Sequence, residues 1–429
     1  MSEFAGLPQA APEEVGLSAP RLERLKRVMR KAADERTVPG VATVIARRGK
    51  VVHAEAQGFL DIERQTPLDL NAIYRMYSQT KPVTAALVMQ LQEDGLLFLD
   101  DPITKFLPEF ANRRVVCHKT PAQKVRGEVS VGVDVEPAHR EIMIFDLLTM
   151  TSGLPSRGRT PTALSHVLDR AWRGSGFMPN DPRPINDPAG SYEEMVLALA
   201  DVPLHSQPGE TYQYGSDFDV LTLLIERATG EPLDQLMRKR IFDPLGMKDS
   251  SFYCEAGKLN RLVTEHQWDE QGRIVVRDQP EKTEKAGGTG RRLVSGNGLF
   301  GGMLSTAADY TRFAQMLLNG GTLDGERILG RKTVELMTIN HIGARELDIV
   351  VGAGYGFGLG YAVRKTLAGS AVPGSPGTFG WGGAAGTWFF VDPAEELIGL
   401  FFTHVFGYQF SPKADLFFRF EKMTYEALI

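Results

Sequence analysis

The strand-like segments of this chain lie at its two ends, and that placement constrains the fold more than any other feature. Val41–Ala46 and Val51–Ala56 are apolar runs on either side of RRGK, with Gly49 inside the turn. The spacing predicts a β-hairpin. Near the other end, Gly386–Val391 and Leu397–His404 flank DPAEE and predict a second one. Helical patterns fill most of the interval. The economical solution is an α+β fold: one antiparallel sheet built from both chain ends, helices on its faces, and a mainly helical lobe inserted between. The expected division is a sheet-and-helix domain of residues 1–95 and 290–429 and a helical domain of residues 96–289.

Several helices carry their own start and stop signals. Ser18-Ala19-Pro20 opens one with Leu22, Leu25, Met29 and Ala32 at helical spacing; its Lys/Arg run, Arg24–Arg36, reads as a solvated face. A second runs from Pro82 to about Asp94 and stops at Gly95, with the proline harmless in the first turn. Ile144–Met150 and Phe218–Ala228 follow, the latter ending at Thr229-Gly230. Thr306 caps a helix through Leu318, terminated by Asn319-Gly320-Gly321. Ser411-Pro412 is expected to open a last helix with Leu416, Phe420, Met423 and Ala427 on one face. EVSVGVDVE alternates like a strand. GAGYGFGLGYAV reads as a strand with one bare face, and its glycine spacing never gives a dinucleotide loop. Arg157–Gly190, rich in Gly, Pro, Arg and Asp, is expected to be a lid loop, with a helix possible over Thr162–Trp172.

Composition excludes several function classes. The formal net charge of −5 is small for 429 residues and makes no electrostatic case for nucleic acid or an anionic membrane. No apolar run has the length of a membrane span. The start, MSEFAGLPQAAPEEVGLS, lacks a basic segment followed by an apolar one, so no secretory leader is expected. Cys117 and Cys254 are the only cysteines and form no framework or C-x-x-C pair. A cytoplasmic setting is the expectation. The 8 histidines include no ligand pair such as H-E-x-x-H, so neither a metal nor a cofactor is expected.

Three elements carry chemistry. In YRMYSQTKPVTAAL, Ser78 precedes Lys81 by one helical turn, so the lysine can lean back over the serine. A serine hydroxyl needs a base to become a nucleophile. Burial and nearby cations disfavour a lysine's charged form and make an amine base accessible. Unpaired N–H groups at a helix start also suit an oxyanion. Alone, the tetrapeptide favours an ordinary capped helix start. It is, however, the only S-x-x-K in the chain, and no serine sits in a G-x-S-x-G elbow. The second element is Tyr214, just before the Phe218 helix, whose phenol can relay a proton. Alone it favours a half-buried packing residue. Ser216, two residues on, reads as a helix cap. The third is Trp381-Gly382-Gly383 before a strand, where glycines admit close backbone approach. Alone it favours a turn at a sheet edge. His404, Trp388 and Phe389-Phe390 read as packing residues.

Together these elements resemble the serine β-lactamase and penicillin-binding-protein superfamily, in which S-x-x-K, a Y-x-S or Y-x-N and a glycine-bearing triad on a late strand recur. The phrases DLLTMTSGLP, IFDPLGMKDSSF and GGMLSTAADYTRFAQMLLNGG add to the likeness, which spans about Pro20 to Phe402. It is greatest to the family VIII carboxylesterases, the class C β-lactamase-like esterases. The resemblance implies a β-lactamase/transpeptidase-like fold and an ester hydrolase acting on small molecules. It implies Ser78 as nucleophile, Lys81 as general base and Tyr214 as proton relay. The backbone N–H groups of Ser78 and Ala384 would form the oxyanion hole, with Trp381, Gly382, Gly383 and Ser216 as substrate-binding residues. Two departures matter. Class C β-lactamases carry K-T-G where this chain has W-G-G, so an apolar wall replaces the cation that meets a substrate carboxylate. Tyr214-Gly215-Ser216 replaces Y-x-N, exchanging an amide for a hydroxyl. Acyl transfer, β-lactamase or D-Ala-D-Ala peptidase activity, and a silent scaffold are the alternatives. Oligomeric state is open.

Overall fold

Arg48 and Gly49 both take positive φ, 51° and 72°, the two-residue turn whose twist matches paired strands. They join β1 (Gly40–Arg47) to β2 (Lys50–Asp61), followed by β3 (Thr66–Pro67). The computed structural model describes residues 3–117, 134–156, 164, 168, 192–281, 302–345, 347, 354–411 and 415–429. Of the short antiparallel pairs that stand apart from the main sheet, two lie near the site: β4 (Ile73–Arg75) with β7 (Leu304–Thr306), and β5 (Glu265–Trp268) with β6 (Ile274–Asp278). The last strands are β8 (Tyr355–Phe357), β9 (Ala362–Arg364), β10 (Phe379–Gly382), β11 (Thr387–Asp392) and β12 (Leu397–Phe402).

Among the described residues the main sheet has 8 strands in the order β8-β9-β10-β11-β12-β1-β2-β3. Every neighbouring pair is antiparallel. The two predicted hairpins meet at its centre, where β12 pairs with β1 from Leu397↔Arg47 to Phe402↔Ala42. The sheet is therefore built from both chain ends, as the sequence pattern implies. Its central strands show no polar alternation because both faces are covered. On one face, α1 (Ala19–Asp34) and α6 (Leu416–Glu426) pack together, and Phe417 and Phe420 of α6 meet Trp388, Phe390 and Phe401. On the other, Tyr310 of α5 (Ala307–Leu318) meets Phe389 and Phe402.

Helix α2 (Thr80–Glu93) is buried at every position from Thr80 to Leu91. A helix without a polar face belongs inside. It contacts α4 (Asp217–Thr229), which also packs on α3 (Ile144–Leu148). Gly230 ends α4 in the left-handed conformation, and the Thr306 side chain accepts from Asp309 N at the start of α5, as their sequences predict.

Two readings change. GAGYGFGLGYAV does not form one strand. Its described part makes β8, a turn and β9, and Gly360 in the turn has φ 86° and lies so near α2 that a Cβ would stand 2.9 Å from that of Ala85. A turn glycine and a strand glycine recur at the same period, so the pattern could not separate them. The last helix begins at Leu416 rather than Ser411, behind Asp415. The alternating EVSVGVDVE falls mostly outside the described residues; its end contributes to the short strand Val135–Pro137. The predicted lid, 157–190, also lies outside them, except Leu164 and Leu168, which are helical and buried. Among the described residues no helix is long and apolar enough to cross a membrane.

Candidate active site

Ser78 sits in a single 3-10 turn, Tyr77–Gln79, that runs directly into α2. Lys81 follows in the first α-helical turn, and its Nζ lies 3.4 Å from Ser78 Oγ. Tyr214, from the segment before α4, donates its hydroxyl to Ser78 Oγ. Lys81 Nζ lies 5.0 Å from the centroid of the Tyr214 ring and 5.8 Å from that of Phe218. Exposure is 6% for Ser78, 0% for Lys81 and 8% for Tyr214. The three residues singled out in sequence thus meet in one buried place, with the Ser78 hydroxyl in contact with both the Tyr214 phenol and the Lys81 side chain.

The turn is held from several sides. Met76 N donates to Met303 O and Met303 N to Thr80 Oγ1, which fixes the entry to α2 against the strand β7. The Tyr310 hydroxyl donates to Gln79 O at 2.8 Å. Tyr77, just before Ser78, has φ 47°. A non-glycine residue in this region costs on the order of 1–3 kcal/mol and persists only where its surroundings dictate it. Here the Tyr77 hydroxyl donates to Glu265 on β5, and the same carboxylate pairs with Arg277 on β6. Burial first, and then the Glu265 charge, push the Tyr77 phenol well above its ordinary range, so it stays a donor.

The W-G-G segment leads from β10 into a tight loop beside this turn. A Cβ on Gly383 would stand 2.3 Å from Met76 O and 2.4 Å from Thr387 Oγ1. No side chain fits there. The loop is closed by Gly383 N to Thr387 O and Gly386 N to Gly383 O, and pinned by Gly407 N to Ala384 O. Among the described residues the Ala384 N–H is paired with no backbone acceptor. Tyr77, Ala384 and Ala385 form a small apolar cluster with Phe406.

Two predicted substrate-binding residues occupy different surroundings from those expected. Trp381 is only 1% exposed, and its ring lies 5.6 Å from that of Tyr214 and 5.2 Å from that of Phe357. It backs Tyr214 rather than presenting an open wall. The Ser216 hydroxyl donates to Pro155 O at 3.3 Å, and the residue stands at the N-cap position of α4 without a side-chain cap bond. His404 packs its ring 5.1 Å from that of His266, and burial holds it well below the usual imidazole range. Sequence reading missed Tyr77, Glu265 and Arg277, because their link joins distant segments and follows no local spacing.

Asp217, next to Ser216, is fully buried. Burial pushes its carboxyl up to about 7, although the Ser152 hydroxyl donates to it at 2.5 Å. Among the described residues no group of three His, Cys, Asp or Glu is placed to hold a metal ion.

The Beta-lactamase family model matches residues 25–422. The chain belongs to the beta-lactamase family. Protein Rv1367c of Mycobacterium tuberculosis is 33% identical over 383 residues, covering 87% of each chain. Esterase EstB of Burkholderia gladioli is 29% identical over 391 residues, covering 89% of this chain and 90% of that protein. Among solved structures, EstCE1, described as a hydrolase with promiscuous acyltransferase activity, superposes with a TM-score of 0.74 at 25% identity, covering 94% of this chain and 98% of that one. The chain thus has the beta-lactamase/transpeptidase-like fold that its motifs imply.

Proposed function

We propose that this chain is a serine carboxylesterase acting on small esters of short to medium acyl groups through an acyl-enzyme on Ser78. The observation that carries the reading is the convergence of Ser78 Oγ, Lys81 Nζ and the Tyr214 hydroxyl in a buried site. Ser78 Oγ attacks the ester carbonyl carbon while its proton passes to Lys81, with Tyr214 relaying it. The N–H groups of Ser78 and Ala384 hold the oxyanion. Collapse breaks the bond to the alkoxy oxygen, which takes up the proton and leaves as the alcohol. Water then gives a proton to the same pair and attacks the acyl carbon. The carboxylic acid departs, and Ser78 Oγ recovers its proton. No cofactor enters.

Position 381 carries tryptophan where class C β-lactamases have lysine, so the cation that would meet a β-lactam carboxylate is missing there, which favours an uncharged ester. The esterase named among the relatives points the same way. A second reading is acyl transfer, in which an acceptor alcohol replaces water. The description of EstCE1 supports it.

One experiment covers these readings. Purified protein is given p-nitrophenyl esters of graded acyl length and a chromogenic cephalosporin, with and without an acceptor alcohol. The expectation is rapid turnover of short aryl esters, much slower cephalosporin opening, and no turnover by Ser78→Ala. A folded Ser78→Ala protein that keeps its activity overturns the mechanism. Cephalosporin opened faster than the esters replaces the reading with a β-lactamase, and a new ester formed from the alcohol replaces it with an acyltransferase.

A further inference from the structure

Around the candidate site runs a closed circuit of contacts. It starts at Tyr77, the residue before Ser78. The Tyr77 hydroxyl donates to Glu265 at the start of β5, where the carboxylate is buried. The next residue on that strand, His266, donates its N–H to His404 O at 2.9 Å and accepts from Phe406 N at 2.7 Å. The same segment, 404–407, is hydrogen-bonded on its other side to the loop after W-G-G. Val405 N donates to Ala385 O at 2.9 Å, and Gly407 N to Ala384 O at 2.7 Å. Ala384 and Ala385 then pack back on Tyr77, beside Phe406. Arg277 closes the circuit from outside. It pairs with Glu265 and sets its guanidinium 3.9 Å from the centroid of the Phe406 ring.

The two N–H groups assigned to the oxyanion hole come from segments far apart in sequence, 78 and 384. These segments meet directly where Gly383 lies on Met76 and where Ala384 and Ala385 pack on Tyr77. The strand bearing Glu265 links to both: its side chain bonds Tyr77, and its backbone bonds segment 404–407, which in turn bonds Ala384 and Ala385. Tyr77 also holds a left-handed backbone that leads into Ser78, a conformation its surroundings must impose.

We propose that Glu265, braced by Arg277, is a positioning residue for catalysis: by holding Tyr77 it sets the Ser78 N–H against the Ala384 N–H. This rests on the esterase reading above. A donor misplaced by about an ångström loses much of its worth to the transition state and little to the ground state.

Three variants test it: Tyr77→Phe, Glu265→Ala and Glu265→Gln. Phenylalanine keeps the ring on Phe406 and Ala384 and removes only the hydroxyl. Glutamine keeps an acceptor oxygen for Tyr77. With p-nitrophenyl acetate, Tyr77→Phe and Glu265→Ala should lower kcat by about ten- to a hundredfold with KM within about twofold. The double variant should be no slower than the slower single one, because both remove the same link. Glu265→Gln should recover most of the rate. Melting temperatures are read in parallel. Folded Tyr77→Phe and Glu265→Ala proteins with wild-type kcat overturn the inference alone, as do losses that multiply in the double variant. A wild-type protein that neither turns over the ester nor reacts with a fluorophosphonate at Ser78 overturns the esterase reading, and this inference with it.

Discussion

Gly383 lies against Met76 so closely that a Cβ there would stand 2.3 Å from the Met76 carbonyl oxygen. That contact sets the loop carrying Ala384 beside the turn carrying Ser78. Met76 is backbone in a doubly anchored turn and cannot yield, so a side chain at 383 must push the loop away. Gly383→Ala is expected to lower kcat for p-nitrophenyl acetate by at least about tenfold, the scale of losing part of one oxyanion donor. Because the loop lies at the end of β10, the melting temperature should move by only a few degrees. Steady-state kinetics beside a thermal melt check both.

Tyr214→Phe isolates the hydroxyl that donates to Ser78. The ring would keep its contact with Trp381, so packing is unchanged. Loss of a general acid–base partner is expected to cost about 10²–10⁴ in kcat. Combining it with Lys81→Ala should add little under the proposed mechanism, in which the two act on one proton. A double variant slower than either single one by the product of their effects would argue for separate roles.

What was legible in the sequence was local or periodic. Ser78 and Lys81 meet because three residues make one helical turn, and the hairpins announce themselves by their turns. Tyr214 reaches Ser78 across 136 residues of chain, and only the joint occurrence of family motifs pointed to it. The Tyr77–Glu265 link spans 188 residues and has no motif at all. Trp381 read as a pocket wall because composition cannot tell a ring facing a ligand from one facing Tyr214. Ser216 read as a helix cap and as a substrate contact, and its hydroxyl instead serves the Pro155 carbonyl.

Asp217 makes stability fall as pH rises. Burial lifts its carboxyl to about 7 in the folded protein, above the ordinary value near 3.8. Between those values the folded state holds a proton that the unfolded chain releases. Its contribution is therefore complete below about pH 4 and is lost as pH climbs through about 7. Asp309, lifted to about 6 by burial, acts with the same sign. His53 is pushed down to about 4, so its window lies below its ordinary value of 6.5 and leaves the neutral range to the carboxyls. The urea midpoint of the wild type relative to Asp217→Asn should fall between about pH 4 and about pH 7 and level off above that. An unchanged slope in the variant would mean that Asp217 is ionised when folded.

Arg364 on β9 and Glu421 on α6 form an ion pair at 2.9 Å with both side chains 1% exposed. Arg364 is satisfied throughout: it also donates to the Tyr355 hydroxyl and to the carbonyls of Val372 and Pro373. It therefore ties the sheet to the helix that covers its face. Removing Arg364 strips the balancing charge from the Glu421 carboxyl, which burial already lifts to about 7, and leaves it buried without its partner. Arg364→Met is expected to destabilise the fold by about 3–5 kcal/mol. Replacing both, as Arg364→Met with Glu421→Leu, removes the charge along with its desolvation penalty, and should recover most of that loss. Urea denaturation of the wild type, the single variant and the double variant decides the matter. If the double variant is as unstable as the single one, the shape and hydrogen bonds of Arg364 matter more than its charge.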